Sequence, residues 1–161
     1  MITIHRPPRP PARKQAYEAN KVAKRLRRLV GDEAFFGALR RFYADRKFQK
    51  AGTDDLRRAM EAASRRDLAR FFERWVYDSG IPRVRYATAI DGQELVVSVE
   101  QVGEVFDLPI TFGVTYTDGK TAEFVVLSTD TTTEARFPLT GTVRGVEANP
   151  DGAAVAILEK K

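Results

Sequence analysis

The chain has no cysteine and a single histidine, His5, in 161 residues. Without cysteine it can form no disulfide, no thiolate metal site and no thiol nucleophile. One histidine cannot supply a His-X-X-X-His zinc pair. A Ser-His-Asp triad would need His5, which sits among prolines, to reach a folded pocket. No G-x-x-x-x-G-K-[ST] or G-x-G-x-x-G run is present to cradle phosphate. No apolar stretch approaches the ~18 residues of a membrane helix. The opening MITIHRPPRPPARK has no apolar segment of signal-peptide length. No membrane partner is therefore expected, and the cytoplasm is the default location.

Hydrophobic residues make up 43% and charged residues 30% of the chain, as in ordinary globular proteins. A chain of this size buries roughly two-thirds of its unfolded surface, enough for a core without staples. Its formal net charge of +5 is unevenly spread. Residues 1–52 carry 14 Lys/Arg against 4 Asp/Glu, residues 53–82 carry 6 against 6, and residues 83–161 carry 7 against 12. A basic front invites nucleic acid or another anionic surface. A solvated tail and helix face accounts for it more simply, so nucleic acid is not the expected partner.

Three segments follow. Residues 1–13 hold four prolines, which fix φ and remove donors, so they read as a disordered proline/arginine-rich arm rather than a helix. Pro8, Pro11 and Arg13 fit the loose PxxPx(+) pattern. Residues 14–82 read as a helical subdomain of about four helices. In the first, Val22, Leu26, Leu29 and Val30 form one apolar stripe, with Lys21, Lys24, Arg25, Arg27 and Arg28 on the remaining surface. Gly31 suits a C-terminal cap. Asp32 is placed to cap a second helix that buries Phe35, Phe36, Leu39, Phe42 and Tyr43. Thr53 precedes Asp54 and Asp55 as the N-cap of a third, with Leu56, Ala59, Met60 and Ala63 inside. Those two carboxylates sit where a helix start wants them and need no acid–base role. Ser64 and Asp67 suggest a capping box for a fourth helix that buries Leu68, Phe71, Phe72, Trp75 and Val76. Gly80 and Pro82 end it.

Residues 83–161 change to a period of two. Asp91-Gly92 and Asp118-Gly119 mark hairpins, and Asn149-Pro150-Asp151-Gly152 marks a further turn. Between them run VRYATAI, ELVVSVEQV, LPITFGVTY, AEFVVL, EARFPL, TVRGVEA and AAVAIL. Short strands at near-regular spacing predict a seven-stranded antiparallel β-sandwich, with a barrel as the weaker alternative, for an α+β chain overall. Pro109 and Pro138 belong at edges or strand starts. The polar run Ser128–Glu134 could bind a hydroxylated ligand but reads more simply as an inter-strand loop.

The stretch Leu29–Val84 closely resembles the end of the helical catalytic domain of the aminopeptidase N-like zinc metallopeptidases. The resemblance rests on Gly31-Asp32-Glu33-Ala34-Phe35, Thr53-Asp54-Asp55-Leu56, Asp67-Leu68, Phe71-Phe72, Trp75 and Gly80-Ile81-Pro82, in the family's order and spacing. The strands that follow, to VEANPDGAAVAIL, are similar to the β-sandwich that comes next in that family. The resemblance runs from residue 29 to residue 161. It also implies what this sequence lacks: the H-E-x-x-H zinc helix, its downstream Glu ligand and the G-A-M-E-N strand. The family's transition-state Tyr stands in a Y-x-K-G context. Tyr17 lies nearby as Tyr17-Glu18-Ala19-Asn20, without the Lys and Gly, and does not inherit the role.

The resemblance therefore implies a non-catalytic C-terminal fragment or subunit, scaffold for an active site not present in this chain. No residue is assigned a catalytic, cofactor-binding or metal-ligating role. The expected partner is the missing zinc-binding part or another protein, and a homodimer through the helices is a further expectation. A stand-alone binding module, or anion binding through the basic front, are the alternative readings.

Overall fold

The computed structural model describes residues 12–77 and 80–161. Four helices come first: α1 (Ala12–Val30), α2 (Asp32–Arg46), α3 (Thr53–Ser64) and the short α4 (Ala69–Phe72), which widens into a π-helical turn over Glu73–Tyr77. Seven strands follow: β1 (Arg83–Asp91), β2 (Glu94–Val102), β3 (Leu108–Tyr116), β4 (Thr121–Ser128), β5 (Thr132–Pro138), β6 (Val143–Ala148) and β7 (Ile157–Lys160). The chain is α+β, as its change of period requires. The anticipated arm falls on residues 1–13, of which 1–11, with His5, Pro8 and Pro11, lie outside the described residues. The helix opens at Ala12, so Ala12 and Arg13 are helical rather than extended. A proline just before or at a first turn costs a helix nothing, because the N–H it lacks would be unpaired there.

The helical core holds Leu26 and Leu29 of α1, Phe35 and Ala38 of α2, Met60 of α3, and Leu68, Phe71 and Phe72 around α4. All but Ala38 stand at positions that helical spacing assigns to the inside, whereas Val76, assigned there too, is exposed. Three local expectations need correction. Gly31 both ends α1 and starts α2. At φ 87° its N–H donates to Arg27 O and its carbonyl accepts from Phe35 N–H. Asp32 is therefore the first residue inside α2, and its carboxylate takes two hydrogen bonds from Arg27, at 2.8 and 2.9 Å. Thr53 likewise lies inside α3, behind the N-cap Gly52, whose N–H donates to the Asp55 carboxylate at 3.0 Å. Ser64 closes α3 by donating to Met60 O, Arg65 adopts the left-handed region at φ 55°, and Asp67 alone accepts from Ala69 N–H at the start of α4. The inside of α2 is also narrower than the sequence suggests. Phe36 is 41% and Tyr43 73% exposed, because they project from the side opposite Phe35 and Ala38.

The strands form two sheets, β5-β2-β1-β7 and β4-β3-β6. They pack face to face on a common core that includes Leu95, Val97 and Val99 of β2 and Leu108, Ile110, Phe112 and Val114 of β3. Gly92, at φ 59°, and Gly119, at φ 87°, make the two anticipated hairpin turns. Pro138 ends β5, an edge strand, and Pro109 lies in the part of β3 that pairs with β4 but not with β6. One sheet is mixed rather than antiparallel, since β7 pairs with β1 in parallel. The connection after β6 carries the chain across to the far edge of the other sheet, where it enters in the direction of β1. The last strand is also shorter and later than AAVAIL. The Asn149 carboxamide bonds both Ala154 O and Ala154 N–H at 2.9 Å, which ties this stretch into the preceding turn and buries Ala154. Among the described residues no helix is long and apolar enough to cross a membrane.

Candidate functional site

The helices and sheets meet along a seam built from charge. Arg28 of α1 donates to the Thr111 hydroxyl on the outer face of β3 and pairs with Asp151, which the Asn149–Gly152 turn presents. Thr111 in turn donates to Asp151 at 3.1 Å. Covered on this side by α1, the first half of β3 is buried on both faces. Farther along, Arg70 pairs with the buried Asp107 and donates to Thr129 O at 2.7 Å. The hydrogen bond to the Asp107 carboxylate, ahead of simple charge attraction, raises the Arg70 pKa. Arg74 reaches Glu104 at 2.8 Å. The opposite charges of the front and back of the chain thus hold its own two parts together.

Trp75, on the π-helical turn, sits at the middle of this seam. Its indole N–H donates to Asp107 O at 3.2 Å, and its ring lies 5.1 Å from Phe106 and 6.5 Å from Phe71. The guanidinium of Arg25 stacks 4.2 Å above it. Arg25 is only 3% exposed, which corrects its assignment to the solvated face of α1. A guanidinium is weakly hydrated and planar, so it can be buried on an aromatic face where an ammonium would be costly. Trp75 is half-buried and packs against both hydrophobic cores.

Below the seam, the Gln101 side chain is a buried node. Its Nε2 donates to Phe106 O and Ser128 Oγ, both at 2.9 Å, and its Oε1 accepts from Phe106 N–H at 2.9 Å. The Ser128–Glu134 run leads from β4 into β5, and the carbonyls of Thr129 and Asp130 already accept from Arg70 and Gln101. Sequence reading passed over Gln101, although it stands in the inward phase of β2 after Leu95, Val97 and Val99. A polar residue in an apolar phase is the signal that was there.

A strongly apolar opening lies on the helical side. A groove of about 470 Å³ runs between α1, α2, α3 and the π-helical turn, over Val22, Leu26, Leu39, Leu56, Met60 and Trp75. Among the described residues no charged side chain lines it.

No set of metal ligands accompanies these features. Among the described residues no three His, Cys, Asp or Glu side chains gather where they could hold an ion. The zinc that the sequence resemblance implies therefore finds no fit in the described part of the chain. Asp54 and Asp55 are engaged at the start of α3, each near an arginine. Tyr17 lies within α1, its side chain outside the described ones.

No protein-family model and no curated protein matches the sequence. Among solved structures the chain is similar to the crystal structure of Legionella pneumophila aminopeptidase A in complex with aspartic acid, with a TM-score of 0.70 at 18% identity. The likeness takes in 90% of this chain and 17% of that one. At that identity it is a likeness of fold, and the fold is aminopeptidase-like.

Proposed function

We propose that this chain is scaffold rather than catalyst: the end of the helical catalytic domain and the following β-sandwich of an aminopeptidase N-like zinc peptidase, serving an active site that it does not itself carry. The observation behind this reading is the pairing of two coverages. Nearly all of this chain has a counterpart in an aminopeptidase structure, and that counterpart is 17% of the larger molecule. The motif run from Gly31 to Pro82 supports the same reading from the residue side. The chemistry of the side chains agrees, since a chain with His5 as its sole histidine and no cysteine cannot assemble a His-X-X-X-His zinc pair.

Amino-acid anilides should not be hydrolysed by the purified chain, with or without added zinc. Affinity purification from the source cells should bring down a protein with an H-E-x-x-H helix. Zinc-dependent turnover that survives stringent purification and responds to mutation of this chain would overturn the proposal.

The apolar groove favours a second reading, a binding module that has kept the fold without the chemistry. Anion binding through the basic helix has less to support it, because Arg25, Arg27 and Arg28 already engage Trp75, Asp32 and Asp151.

A further inference from the structure

Among the described residues the groove between the helices is a core left open. Leu26, Phe35, Met60 and Phe72 contribute to it and to the buried helical cluster at once. Monomers seldom leave such a patch bare. Its walls are helices and its floor is aliphatic and aromatic, the form that takes the apolar side of one more helix. Charge decides which helix. Residues 12–77 carry 18 Lys/Arg against 9 Asp/Glu, whereas residues 80–161 carry 7 against 12. Lys24 follows Val22 and Ala23 on the α1 wall, and Lys50 stands shortly before Thr53 at the start of α3. A second copy docking by its own helices would bring two basic bodies together. An acidic partner would be drawn in.

We infer that the groove is a docking site for an acidic amphipathic helix of another polypeptide, with aliphatic residues every three to four positions on one face and Glu or Asp elsewhere. This rests on the scaffold reading in one respect: the helix would belong to the complement that the scaffold serves.

Trp75 lines the groove and is the only tryptophan in the chain, so its emission reports occupancy. The probe is a tryptophan-free helical peptide of about 20 residues, long enough to be helical in water, with Leu at positions i, i+3, i+4 and i+7 and Glu elsewhere. A second peptide replaces every Glu by Lys. The Glu peptide should give a saturable change in Trp75 emission and bind at least tenfold tighter than the Lys peptide. The difference should shrink at about 0.5 M salt, where screening is nearly complete. Ala23→Glu, at an exposed position on the groove wall, should weaken the Glu peptide at least tenfold and leave the circular dichroism unchanged. Val76→Glu on the opposite wall should do the same. No saturable signal, equal affinity for the two peptides, or indifference to both substitutions would overturn the inference. So would a dimer, seen by sedimentation of the chain alone, that either substitution dissolves, because the occupant would then be a second copy. Any of these results, with a zinc-motif partner still recovered from cells, would remove the groove assignment and leave the scaffold reading standing.

Discussion

Gln101 joins β2, the Phe106 loop and the end of β4 through one carboxamide. Gln101→Leu keeps the volume but strands a buried N–H and its carbonyl and hydroxyl neighbours, so it should lose about 3 kcal/mol in urea unfolding. A loss below about 0.5 kcal/mol would mean that the node closes on itself without the side chain. Arg28 and Asp151, both partly buried, should couple in a double-mutant cycle of Arg28→Met and Asp151→Asn by about 1 kcal/mol, above the value of a freely exposed pair. Titration adds a direction. Hydrogen bonds from Arg27 and from Lys161 hold the carboxyls of Asp32 and Glu100 below their usual ranges. A carboxylate with a depressed folded pKa adds stability above its unfolded pKa, and loses it as pH falls through the folded one. The melting temperature should therefore drop on acidification below the ordinary carboxylate range. Asp32 is exposed and Glu100 half-buried at the surface, so added salt should shrink their share. Asp32→Asn and Glu100→Gln together should flatten that part of the pH profile, and an unchanged profile would assign the acid sensitivity to other carboxylates.

Among the elements, β3 carries the sharpest constraint. A Cβ on Gly113 would lie 3.1 Å from Cγ of Pro150, which sits in the turn that presents Asp151 to Arg28. Gly113→Ala should cost about 1 kcal/mol by crowding that turn. The loss should largely vanish in a Pro150→Ala background; if it persists there, the crowding lies elsewhere. The π-helical turn depends on Trp75. Trp75→Ala should cost about 3 kcal/mol, the low end for a large aromatic, because the ring is half-buried. Wild-type stability in that variant would refute the placement of the ring at the seam. Much of this scale is legible in the sequence, because it depends on local period. Leu26, Leu29, Phe35, Met60 and Phe71 fall on the inner phases of their helices, and Asp91-Gly92 and Asp118-Gly119 turn where turn chemistry places them. The misses have non-local causes. Arg25 is buried by a tryptophan 50 residues away in the chain. The direction of β7 is set by how the chain crosses between sheets, which no local pattern encodes. Phe36 and Tyr43 look like core residues in composition, but α2 has neighbours on one side only. Apolar surface on the helices is legible from their many aromatics, but the shape of the groove is not, since its walls come from elements scattered between Val22 and Val76.

At the scale of the molecule the described residues form two hydrophobic cores, with Trp75 packed against both. They should differ in independence. The core between the sheets is closed by strand pairing on either side, whereas the helical core is open at the groove and rests partly on Leu127 of β4. Residues 80–161 expressed alone should melt cooperatively at a lower temperature than the whole chain, since β3 would lose its cover from α1. Residues 12–77 alone should melt broadly. Circular dichroism melts of the two pieces check this, and a sharp transition from the helical piece would show that its open core suffices.

The pairing of β7 with β1 has a kinetic side. Arg83 meets Ile157 across most of the β part, while β1 and β2 close on a two-residue turn. Bringing distant segments together costs chain entropy that grows with the logarithm of the loop, and contacts of long sequence separation slow folding. The hairpins can assemble as soon as their residues exist, but the edge of their sheet must wait for Ile157–Lys160. Until then β1 presents bare backbone along Arg83–Tyr86, open to any passing strand. The last short strand therefore works as a latch: once it arrives, the backbone of β1 along Arg83–Tyr86 is paired and no longer open to another strand.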